Sequence, residues 1–97
     1  MHPRVFDLEI DEWNESECAR HGVDADTELF EVLDEKPVFL PNKGRHRAPM
    51  VMIGPTSSGR LLTVPLVPTD RDGVWRPATA WPSSQSERSR YEKAKSR

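Results

Sequence analysis

The chain has 97 residues, 35% hydrophobic and 31% charged, which suits one small α+β domain with a modest core. It has no run of about eighteen apolar residues and no apolar signal core in MHPRVFDLEID, which argues against a helical membrane span and a secretory signal. Cys18 is the single cysteine, so no internal disulfide is possible, and a cytoplasmic protein is expected.

The net charge of -2 hides an asymmetry. Residues 1–35 carry twelve acidic side chains against Arg4 and Arg20; residues 36–97 carry twelve basic side chains against Asp70, Asp72, Glu87 and Glu92. One reading is acidic helices beside a basic sheet; the other is a basic face able to meet phosphates.

Arg4–Ile10 alternates, with Phe6, Leu8 and Ile10 on one side, and predicts a half-buried strand whose pairing partner stays open. Asp11 is placed to cap a helix over Glu12–His21. Gly22 suits the exit from that helix, and His21 reads as a residue of the last turn or as an acid–base group. A second, amphipathic helix starts at Asp24 or Asp26 and runs to Glu35, with Leu29, Phe30 and Leu33 toward a sheet. Pro37–Pro41 predicts a short proline-bracketed strand, at a sheet edge or irregular, followed by the basic loop NKGRHRAP.

The centre of the chain is a predicted antiparallel meander of Met50–Gly54, Leu61–Val67 and Val74–Trp81. Thr56–Gly59 and Asp70–Gly73 are its turns. Pro65, Pro68 and Pro77 lack a backbone N–H, so a bulge or an early end to pairing is expected there. Ser84 and Glu87 fit a capping box that opens a last helix near Ser83 or Ser84, apolar only at Tyr91 and Ala94. Residues 93–97 are expected to fray.

No metal-ligand spacing, Walker loop or nucleophile elbow is present, and neither a metal nor a cofactor is expected. Arginine stands out instead. Cleaving RNA without a metal needs a base, an acid and cations around one phosphate. Arg60, Arg76 and Arg88 come from three segments and are expected to converge on such a phosphate; Glu87, His46 or Tyr91 would move protons. His46 is the one of these three whose ordinary pKa lies near neutrality.

The chain resembles the BrnT family, the toxin half of a bacterial type II toxin–antitoxin pair. The likeness runs from about Ile10 to Glu92. It rests on Trp13-Asn14, His21-Gly22-Val23, Arg45-His46, Ile53-Gly54, Gly59-Arg60-Leu61-Leu62, Arg76, Thr79-Ala80, and Glu87 with Tyr91-Glu92. The resemblance implies a RelE-like fold: two N-terminal helices, a small antiparallel sheet including the N-terminal strand, and a C-terminal helix. It implies a metal-independent endoribonuclease that inhibits translation and is neutralised by a cognate antitoxin, with DNA contacted through that antitoxin. Carried over by position, Arg45, Arg60, Arg76, Glu87 and Tyr91 are the implied catalytic residues, with His46 beside Arg45. Arg47, Trp81, Arg88 and Arg90 are expected to touch RNA. Two positions depart from the family pattern, Trp81 and Pro49, where basic residues are usual. Trp81 reads either as a stacking surface for a base or as a core or interface aromatic. If the lost Arg is catalytic, cleavage is weakened or absent. The alternative is therefore a non-catalytic RNA- or protein-binding module on the same fold.

Overall fold

The computed structural model describes residues 4–42 and 47–96. Its elements are β1 (Asp7–Leu8), α1 (Glu12–Ala19), α2 (Glu28–Asp34), β2 (Val38–Pro41), β3 (Met50–Pro55), β4 (Leu61–Pro68), β5 (Val74–Pro77), β6 (Trp81–Pro82) and α3 (Gln85–Lys95). Together they form an α+β domain around one mostly antiparallel sheet in the order β1-β5-β4-β3-β2, with β6 also paired to β4. Among the described residues only β1 runs parallel to its neighbour, β5.

The sheet has two unlike faces because alternate residues of a strand point opposite ways. Met50, Met52, Leu62, Val64 and Leu66 face α1 and α2 and pack with Cys18, Leu29 and Val32. Each such buried side chain contributes roughly 1.5–3 kcal/mol. Val51, Ile53 and Leu61 face the other way and meet Tyr91 of α3. That helix has no buried residue, so it covers its face lightly. Gly54 is where α2 and β2 crowd β3. A Cβ there would lie 2.9 Å from Pro37 Cβ and 3.1 Å from Val32 Cγ1.

The meander forms as its turns predict, with Gly59 and Gly73 at positive φ. Its third segment is not one strand. β5 pairs with Leu66–Pro68 and β6 with Leu62–Thr63, along one edge of β4. Between them the chain leaves the ladder, keeping only a bond from the Ala78 N–H to the Pro65 carbonyl (3.0 Å). The missing N–H groups of Pro65 and Pro77 are the reason.

Three further expectations shift. Helix α1 ends at Ala19 rather than His21, because the Cys18 carbonyl takes the N–H groups of His21 and Val23 in a closing turn. Helix α2 begins at Glu28, since Asp24–Thr27 form a separate turn in which Glu28 accepts the Asp24 N–H (2.9 Å). Phe6 is 61% exposed, not in the core. At this edge the paired strand is only two residues long, and Phe6 lies against Gly73 under the Arg4 guanidinium.

Candidate functional site

The expected convergence of arginines does not occur. Arg60, just before β4, donates to the Gly22 carbonyl (2.9 Å) and to Glu28 of α2 (2.7 Å), on the helix-covered face. Arg76 of β5 lies opposite Val67 and donates to Asp11 (2.5 Å) and Glu9 (3.4 Å). Arg60 and Val67 are seven residues apart. At about 3.3 Å per residue the two arginines are separated by roughly 23 Å along β4. They also belong to opposite faces of the sheet. Arg88 is exposed on α3. No single phosphate reaches both Arg60 and Arg76.

The charge asymmetry has a related explanation. Arg60, Arg71 and Arg76, from the basic part of the chain, pair with Glu28, Glu9 and Asp11 from the acidic part. Three of the twelve basic side chains of that part are thus paired with acidic ones within the fold. The hydrogen bond from Arg76 holds the Asp11 carboxyl below its ordinary range. The same contact raises the Arg76 guanidinium further.

Glu87 sits where the cap of α3 meets β6. Its carboxylate accepts from the Ser84 N–H (2.8 Å) and from the Trp81 indole N–H (3.0 and 3.2 Å to the two oxygens). Burial alone would raise its pKa. The Ser84 amide, the Trp81 indole and the hydroxyls of Thr63 and Ser84 outweigh that and lower it. A carboxylate so surrounded by donors stays ionised at neutral pH and is a weak base. The Thr63 and Ser83 hydroxyls share a hydrogen bond (2.8 Å). The exposed His21 ring meets Trp81 edge-on, with centroids 6.3 Å apart. Trp81 therefore has a role beyond the two expected from sequence: its N–H holds Glu87.

Tyr91, one turn beyond Glu87, is half-buried against Val51, Ile53 and Leu61. Arg90 donates to the Pro41 carbonyl (2.8 Å) and Lys95 to that of Lys36 (2.7 Å), so both tie α3 to β2 and its approach. Arg45 and His46 lie outside the described residues. Glu87 and Trp81 are brought together; Arg60 and Arg76 stand apart from each other.

No family model, curated protein or solved structure matches this chain.

Trp13 enters the sequence reading as part of the family resemblance, with no role in a site. It is 60% exposed, because Asn14 and Cys18, four apart, form the buried stripe of α1 and leave the indole outside. That i, i+4 pair was the available signal. Beside Trp13 is a groove of about 390 Å³. The buried Pro65 and Ala48, with Val67 and Ala78, give it an apolar floor; Trp13, Arg47, Arg76 and Thr79 stand around them. The Arg76 guanidinium carbon lies 5.9 Å from the centre of the Trp13 ring. Among the described residues no three His, Cys, Asp or Glu side chains gather to hold a metal ion, and no helix is long and apolar enough to cross a membrane.

Proposed function

We propose that this chain is the toxin-type half of a BrnT-like bacterial pair, and that it acts in the cytoplasm on RNA by holding it rather than by cutting it. The supporting observation is the groove beside Trp13, with the exposed indole and the Arg76 guanidinium at its rim. An exposed indole and a guanidinium over an apolar floor make a platform on which unpaired bases stack. Cutting is less well served. Arg60 and Arg76 are committed to carboxylates far apart, and Glu87 is engaged by donors. In this reading a cognate antitoxin covers the same groove in a hetero-oligomer and carries any DNA contact.

The test is retention of an end-labelled single-stranded RNA by the purified protein in EDTA. Intact, retained RNA whose binding weakens with added salt supports the reading. Unretained RNA overturns it.

A second reading, the metal-independent endoribonuclease, is favoured by the cluster of His21, Trp81, Glu87 and Thr63. It predicts RNA cleavage in EDTA that is lost in Glu87→Gln, and growth arrest on expression that the same change relieves.

A further inference from the structure

The geometry points to a specific ligand for the Trp13 groove: one unpaired guanosine of a single-stranded RNA, its base stacked on Trp13, its edge on Arg76 and its phosphate on Arg47. This rests on the RNA-binding reading and deepens it.

The argument starts from how Arg76 is held. A guanidinium has five N–H donors and no acceptor. Here Nη1 is directed at Asp11 and Glu9. Two carboxylates cancel the cation locally, so Arg76 is a poor attractor of phosphate. The donors on Nη2 and Nε are not engaged by either carboxylate. They suit a neutral acceptor, and the carboxylates fix the orientation of the fork.

An aligned pair of donors selects among bases. The outer edge of guanine presents O6 and N7, two neighbouring acceptors. The same edge of adenine presents N7 beside an N6 amino group, a donor facing donors. Arg76 therefore accepts guanine and rejects adenine at that edge.

The rest of the groove fits the same ligand. The exposed Trp13 ring gives the base a stacking partner. Val67 and Ala78 are apolar and partly accessible, and the one polar hydroxyl of the lining, that of Thr79, is directed at the Glu17 carbonyl (3.4 Å). The volume of about 390 Å³ is at the small end of the range for small-molecule sites, sized for a nucleotide and not for a duplex. Arg47 is exposed on the rim and supplies the cation that Arg76 no longer does.

The experiment compares two labelled RNA heptamers, AAAGAAA and AAAAAAA, by fluorescence anisotropy in EDTA. Binding of the guanosine heptamer about tenfold tighter or more is expected. Trp13→Ala should weaken the binding of both heptamers, because stacking takes any base, and Trp13→Phe, which keeps a ring, should retain most of the affinity. Arg76→Lys keeps a charge but loses the fork, and should bring the two heptamers within about twofold of each other. Arg47→Ala should weaken both alike and lower the salt dependence by about one phosphate contact. Equal affinity for the two heptamers, a preference that survives Arg76→Lys, or binding untouched by Trp13→Ala overturns the guanosine assignment and leaves RNA binding standing. Failure to bind either heptamer overturns the parent reading with it.

Discussion

Replacing Trp81 by phenylalanine keeps a ring of similar bulk and removes the indole N–H. Glu87 then loses a donor that now lies 3.0 and 3.2 Å from its two oxygens. A hydrogen bond to a charged group contributes about 1.5–3 kcal/mol; Glu87 keeps some contact with water, so the lower end, about 1.5 kcal/mol, is expected. The loss should depend on pH. Glu87 has its pKa lowered below 4.5 in the folded protein, so its contribution is fully present above the unfolded value and disappears as pH falls through the folded one. Urea unfolding of wild type and Trp81→Phe at pH 7 should therefore differ by about 1.5 kcal/mol, with the gap closing progressively below pH 4.5. Glu87→Gln completes a double-mutant cycle, in which a coupling of about 1 kcal/mol at pH 7 is expected. Equal destabilisation at pH 7 and pH 3, or zero coupling, would refute the indole–carboxylate contact as the bond that ties β6 to α3.

Other positions give independent checks. Gly54→Ala places its Cβ against Pro37 and Val32 and should cost about 1–3 kcal/mol by urea unfolding. Asn14→Leu strands the Asp11 N–H and the Glu9 carbonyl that Asn14 now satisfies at 2.8 Å each, and should cost about 2–4 kcal/mol. Lys36 has φ of +53°, a left-handed conformation that glycine adopts freely, so Lys36→Gly should stabilise by about 0.5 kcal/mol after the entropy of the unfolded chain is set against it. Cys18 is fully buried, and burial with the nearby Glu17 pushes its thiol up to about 11; it should resist a thiol reagent at pH 8 in the native protein and react when unfolded in urea.

The sheet was legible in the sequence because its signals are local. Glycine-terminated turns bracket short apolar runs, and the prolines at 65 and 77 announced the break that splits β5 from β6. The Ser84–Glu87 capping box was readable for the same reason, since it spans a single turn. The arginines were not readable in this way. Sequence spacing gives no face or end of a strand once a connection intervenes, and Arg60 and Arg76 landed at opposite ends of β4. Their partners, Glu28 for one and Asp11 with Glu9 for the other, are more than thirty residues away in the chain. Phe6 misled because alternation over Arg4–Ile10 suggests a long half-buried strand, whereas only Asp7 and Leu8 pair at that edge. Trp13 has no expected site role because an aromatic in a helix is usually core; its exposure follows from a buried stripe built on Asn14 and Cys18 rather than on large apolar residues.

The most direct measurement is a titration of the labelled protein with single-stranded RNA, following the three tryptophan indole N–H signals by nitrogen–proton NMR, each assigned by its phenylalanine variant. An RNA platform at the Trp13 groove predicts that the Trp13 signal shifts progressively with RNA while Trp81, bonded to Glu87, holds its position. A shift at Trp81 with Trp13 unmoved would put the nucleic acid beside α3 and contradict the account.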